Sequence, residues 1–217
     1  MALTAREVSG GVSDRVVALV FGDRRIPRAL ADLTSLTVSE ASALTIPEDA
    51  VRVIVVGGHA DLSTTLARLL RDDRLDVEVG FVPPLSGGGL GAARRARNGV
   101  AQRVPLIRDE TGAVIVRSAR WLPSGGDAIT GEAVVDDTVL FDGESTGVVI
   151  EPLPGMPGLR ARAIGAGRSG PGRGWVTGRA AQLGSTGVLV ERDGVAAARP
   201  ARRSAFYRHI EGWLRVG

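Results

Sequence analysis

The residues of this 217-residue chain that could do chemistry gather at a few glycine-rich turns. One turn, Gly57-Gly58-His59-Ala60-Asp61, lies between the run Val51-Arg52-Val53-Ile54-Val55-Val56 and a stretch carrying Leu62, Leu66, Leu69 and Leu70. Bare glycines there let backbone N–H groups approach an anion at the positive end of a helix. Asp61 opposes that use, because its own negative charge repels an anion. At a helix N-cap it accepts a backbone N–H and complements the dipole instead. His59 has two readings: a general base titrating near neutrality, or a turn histidine with no paired carboxylate beside it in sequence. A second run, Ser86-Gly87-Gly88-Gly89, precedes Arg94, Arg95 and Arg97. These arginines either clamp a phosphate or an acidic headgroup, or form a solvated helix face. Two later turns, Asp142-Gly143-Glu144 and Asp193-Gly194-Val195, complete the acidic candidates.

Several classes fall away on composition. There is no cysteine, so thiolate nucleophiles, disulfides and cysteine metal sites are excluded, and two histidines alone give no zinc site. All 27 basic side chains are arginine, which removes a P-loop lysine and Schiff-base chemistry. The formal charge of +3 is spread along the chain and argues against a dedicated nucleic-acid binder. The start lacks the apolar core of a secretory signal and no apolar run reaches membrane-spanning length, so a cytoplasmic location is the expectation. Arginine in place of lysine, with abundant alanine and glycine, points to a high-GC bacterial source.

Positioning these residues requires a fold, and the pattern predicts two domains. Residues 1–14 read as a loose tail. Residues 15–98 read as an α/β domain: a strand at Val16 to Phe21, a helix through Ala29, Leu30 and Leu33 after Pro27, and a short strand at Leu36 to Val38. The buried strand at Val51 then leads through the glycine turn into the leucine helix, followed by a third strand at Asp76 to Val82 and an arginine-rich helix. Alternating strands and helices favour a parallel sheet with crossover helices. Residues 99–217 read as an antiparallel β-sandwich or barrel. Its strands are expected at Val104 to Arg108, Ala113 to Ala119, Ala133 to Val139, Val148 to Glu151, Leu159 to Ala163, Trp175 to Leu183 and Val188 to Arg192. Turns fall at Thr111-Gly112, Asp142-Gly143 and Asp193-Gly194, and Gly165 to Gly174 reads as a mobile loop between two strands.

This order of parts resembles the diacylglycerol kinase-like lipid kinases, whose fold is shared with NAD kinases. The likeness runs from Arg15 to the end. The stretch Gly178-Arg179-Ala180-Ala181-Gln182-Leu183, through Asp193-Gly194 to Pro200 and Tyr207-Arg208-His209, looks like the last strands of the family's sandwich. The resemblance implies an α/β domain followed by an antiparallel β-sandwich, a nucleotide or lipid in the cleft between them, and a homodimer. ATP and Mg²⁺ are implied as cofactors only if kinase activity is retained. Cofactor binding would fall to Gly57, Gly58, Ser86, Gly87, Gly88 and Gly89.

The family's Gly-Gly-Asp-Gly-Thr loop is only partly kept. His59 stands where the family has aspartate, Ala60 where it has glycine and Asp61 where it has threonine. The second loop lacks the family's asparagine. The sandwich turn that carries Asp-Gly-Glu in active relatives corresponds by order to Asp193-Gly194-Val195, without the glutamate. Acidic side chains hold Mg²⁺ or take the proton of the attacking hydroxyl, and bare glycine lets backbone reach the phosphates. The expectation is therefore a degenerate lipid-kinase-like protein that binds a nucleotide, lipid or partner, with no metal site and only His59, Asp61, Glu144 and Asp193 as weak catalytic candidates. Two alternatives stand beside it. One is an active ATP-dependent lipid kinase in which Asp61 or Glu144 supplies the acid, and the other is an oligomeric scaffold without a small ligand.

Overall fold

The computed structural model describes residues 15–40, 44–84, 89–165 and 174–217. The expected tail at 1–14 and most of the Gly165 to Gly174 loop lie outside the described residues. In chain order the elements begin with β1 (Val16–Phe21), a 3-10 turn (Arg28–Leu30), β2 (Thr34–Val38), β3 (Arg52–Val56) and α1 (His59–Arg71). β4 (Glu78–Val82), α2 (Gly89–Asn98) and β5 (Ala101–Val104) follow. Then come β6 (Ile107–Asp109), β7 (Val114–Ile115), β8 (Ala119–Pro123), β9 (Ile129–Val135), β10 (Thr138–Ser145), β11 (Gly147–Pro152) and β12 (Leu159–Ile164). The chain ends with β13 (Val176–Gly178), β14 (Ala180–Arg192), β15 (Val195–Ala196), β16 (Ala201–Arg208) and β17 (Trp213–Val216).

Strands β1 and β3 are almost wholly aliphatic, as strands covered on both faces must be. They lie in a six-stranded sheet ordered β2-β1-β3-β4-β17-β5, parallel except for β5. Side chains alternate between the two faces. Val17, Leu19, Phe21, Val53 and Val55 pack with Leu62, Leu66 and Leu69 of α1, whose spacing puts them on one helix stripe. Val20, Ile54 and Val56 pack instead with Leu30 and with Ala93 and Ala96 of α2. A Cβ at Gly80 would lie 2.7 Å from the Ala96 carbonyl oxygen, so α2 seats on β4 only because position 80 has no side chain.

The second sheet has eleven strands, ordered β13-β12-β11-β8-β14-β16-β6-β7, with β9, β10 and β15 joined off that path. Its pairings are antiparallel throughout. Along one edge, β14 pairs with β9 over Ala181 to Ser185 and with β8 over Val188 to Arg192, so one long strand carries the sheet around a corner. Trp121, Ile129, Phe141 and Phe206 fill the enclosed core.

Several expectations are corrected. The helix through Ala29 to Leu33 is a single 3-10 turn, because β2 starts at Thr34 and leaves no length for a second turn. Strands β5 and β17, which the sequence reading put in the β-rich half, pair in the first sheet. The expected strand Val104 to Arg108 ends one sheet and begins the other, with Pro105 and Leu106 at the crossing. Ala133 to Val139 is a hairpin turned at Asp136 and Asp137, with Asp136 at φ 47°. Asp142 and Gly143 run inside β10, opposite Glu132 and Gly131, and make no turn. Thr111-Gly112 and Asp193-Gly194 do connect paired strands, β6 with β7 and β14 with β15.

Helix α1 links the two sheets. Its leucines face the first sheet, while Leu106 and Val114 from the β6 region and Trp213 of β17 close the same core.

Candidate functional site

The glycine turn sits at the C-terminal end of β3. Gly58 is the N-cap of α1 in extended conformation, φ −82° and ψ 179°. Asp61, expected at the N-cap, occupies the third helical position, and its Oδ2 accepts the Gly58 N–H at 2.7 Å. This is the reach-back half of a capping box. A Cβ on Gly57 would lie 2.5 Å from the same oxygen, so glycine at 57 is required by the folded-back carboxylate. Arg24, from the loop after β1, stands 3.9 Å from Asp61 Oδ2. The negative charge drawn to this helix terminus thus comes from the chain itself.

His59 is half-buried, with its ring 5.3 Å from the Phe81 ring and tilted by 54°. No hydrogen bond joins its ring to a carboxylate among the described residues, so it lacks the orienting partner of a general base. Ala60 begins a line of small residues along α1. Ser86, Gly87 and Gly88 lie outside the described residues, and Gly89 opens α2.

The remaining acidic candidates are dispersed. Glu144 is exposed on β10 opposite Thr130. Asp193 turns at φ 48°, and its carboxylate accepts backbone N–H bonds from Val116, Arg117 and Ser118 at 2.9, 2.7 and 3.0 Å. It holds the β7–β8 connection and is fully engaged. Gly143-Glu144-Ser145-Thr146-Gly147 matches a Gly-x-Ser-x-Gly pattern. Ser145 is buried, and its hydroxyl bonds the Gly147 and Ile164 carbonyls, so it is structural. Among the described residues no three His, Asp or Glu side chains converge as a metal site would need.

Arg97 serves the fold. It donates to both oxygens of Asp32 at 2.6 and 2.7 Å and to the Ala29 carbonyl, tying α2 to the 3-10 turn. This hydrogen bonding lowers the Asp32 carboxyl below its usual range. Arg94 and Arg95 are exposed on α2.

The cleft itself follows the other side of α1. Ala60, Thr64 and Ala67 form one wall and Val114, Arg192 and Val195 the other, around about 350 Å³. Past Thr64 and Ala67 it continues into a hollow of about 420 Å³ edged by Arg68, Arg71 and Thr111. The residue that organises this wall escaped the sequence reading. Asp109 is fully buried at the end of β6 and pairs with Arg192 of β14. Its local signature, Asp109-Glu110-Thr111-Gly112, is that of an Asx turn. Its partner 83 residues away has no such signal.

Neither a family model nor a curated protein matches the sequence. Solved structures do match. An NAD kinase from Archaeoglobus fulgidus in complex with ATP superposes with a TM-score of 0.63 at 12% identity, over 93% of this chain and 93% of that one. A protein described as a "putative diacylglycerol kinase" from Bacillus anthracis str. Sterne superposes with a TM-score of 0.68 at 12% identity, over 95% of this chain and 98% of that one. Among the described residues no helix is long and apolar enough to cross a membrane. At such low identity the likeness shows the fold alone, and that fold is the one found in these two structures.

Proposed function

We propose that this chain uses the kinase-like fold to bind a small ligand in the groove beside α1 and does not transfer phosphate. The observation that carries this reading is the Asp61 carboxylate accepting the Gly58 N–H at 2.7 Å. A phosphate approaching the turn would have to displace that carboxylate and meet the Ala60 methyl group where the resemblance places glycine. Magnesium takes hard oxygen ligands and commonly one or two carboxylates beside substrate phosphates. Asp61 is tied to its own backbone and faces Arg24, Asp193 holds three backbone amides and Asp109 holds Arg192. Among the described residues, these side chains therefore do not fit a magnesium–triphosphate group.

Thermal unfolding of the full chain with and without MgATP tests the reading. The expected outcome is an unchanged melting temperature. The variant carrying His59→Asp, Ala60→Gly and Asp61→Thr together is expected to gain a response that the native sequence lacks. Ligand at a hundredfold excess over its Kd stabilises by about 2.7 kcal/mol. A wild-type shift of that order, with loss of γ-phosphate in the presence of diacylglycerol, would overturn the proposal in favour of an active lipid kinase.

A further inference from the structure

We infer that the groove beside α1 takes a small organic anion, a carboxylate or phosphate on a short apolar body, and that Arg192 receives its charge. This inference rests on reading the groove as the ligand site. It starts from Asp109, whose Oδ1 accepts the Thr111 N–H at 2.8 Å, the Thr111 hydroxyl at 2.7 Å and the Ala113 N–H at 3.0 Å. Those bonds fix the carboxylate in a fully buried position and leave Oδ2 for Arg192. Arg192 donates Nε–H to Oδ2 at 2.6 Å, and its Nη2 pairs with the same oxygen. The Phe206 ring centroid lies 5.9 Å from the guanidinium carbon.

A guanidinium carries five N–H donors in a rigid fork. Asp109 holds this one by its Nε side, which leaves the end-on edge. Nη1 has no protein partner among the described residues. That edge matches a carboxylate or phosphate through two parallel bonds. The Arg192 side chain is 22% exposed and lines the groove.

The surroundings define the rest of the ligand. Arg192 is the one charged residue on the groove wall among the described residues, and the adjoining hollow adds Arg71 beside Arg68, which is paired with Asp72. Ala60, Ala67, Val114, Val195 and Ala197 make the remaining wall mostly aliphatic. A volume of about 350 Å³ falls at the small end of ligand sites. The free donors on the end-on edge of Arg192 thus ask for the paired acceptor oxygens of an anion, and the wall for an apolar body.

Titration of the full chain with hexanoate, hexyl phosphate and hexanol, followed by amide NMR shifts at Ala113, Val195 and Ala196, tests the inference. At least one anion is expected to bind, with hexanol weaker by about tenfold or more, since a charge-assisted hydrogen bond is lost. The stronger of the two anions identifies the head group. Arg192→Gln is expected to abolish the preference for the anion. Because that change strands a buried carboxylate, Ala67→Phe is the second variant: it fills the groove with the Asp109–Arg192 pair intact and is expected to abolish the shifts. Silence from both anions, hexanol binding as well as they do, or unchanged anion binding in Ala67→Phe would each overturn the inference. MgATP in the same titration separates the two readings. Anion binding accompanied by transfer of the MgATP γ-phosphate to the hexanol hydroxyl or to water, with release of ADP, would overturn only the non-transferring function, whereas silence from the anions and from MgATP would overturn only the anion site.

Discussion

The two sides of the cleft handle a carboxylate in opposite ways. On the α1 side, Asp61 closes on Gly58 three residues away, partly exposed, and quenches the helix terminus. On the β-rich side, Asp109 is buried and reaches across 83 residues to Arg192, leaving part of that cation unmatched. One carboxylate removes an anion site, and the other presents one. The difference teaches that the same side chain can close a position or hold one open within a single fold. What matters is whether a charge is satisfied by its own loop or held by a distant strand.

The comparison can be broken most forcefully at Asp109. Replacing it with alanine leaves a largely buried arginine without its partner and two backbone amides without an acceptor. Loss of one member of a buried pair costs about 3–5 kcal/mol. Urea unfolding of Asp109→Ala should show a loss of that order, with much of it recovered in the Asp109→Ala, Arg192→Met double variant. A loss under about 1 kcal/mol, in the range of an exposed pair, would mean that the two residues do not anchor the wall. Asp61→Ala should cost less, about 1 kcal/mol, as for other helix caps, because water replaces the carboxylate at an accessible amide. Equal losses at the two positions would erase the contrast.

The smallest effect is expected where the chain crosses between the sheets. His209 accepts a hydrogen bond from Arg108 Nε at 3.3 Å through Nδ1, and its backbone N–H bonds Leu106. Burial, then the Arg108 charge, lower its pKa below 6.5, against opposing pulls from Glu211 and Asp73. The unfolded chain therefore binds the proton more readily than the folded one. This contribution to stability is whole above the unfolded value near 6.5 and is lost as pH falls through the depressed folded value. Melting temperature followed downward from neutral pH should decline less in His209→Gln than in the native chain. Parallel curves would remove His209 from the account.

The contrast also explains what could be read from sequence. Strands β1, β3 and β4 and helix α1 were legible because buried β-branched runs and a leucine stripe declare themselves within a few residues. The strand-to-helix turn at Gly57 and Gly58 was legible for the same reason, although Asp61 lies at the third helical position and not at the cap. Strand β17 was not legible as part of the first sheet: it is four residues long and its partner β4 lies far back in the chain. The pair Asp193-Gly194 turns where Asp142-Gly143 does not. Both glycines have positive φ, 89° and 105°, but Gly143 faces Gly131 across a continuing ladder. The dipeptide alone does not specify which partner the strand will find. Nor does anything near Asp109 announce Arg192, so the cation that dominates the groove emerged only with the fold.

The claim that most depends on one contact is that Asp61 already fills the anion position at the head of α1. The Gly58 amide resonance in ¹⁵N-labelled protein reports on that contact directly. It should lie downfield in the wild type and stay in place when MgATP is added, and it should move upfield with faster exchange in Asp61→Ala. A Gly58 resonance that is indifferent to Asp61→Ala, or that shifts in the wild type as MgATP binds, would contradict the account.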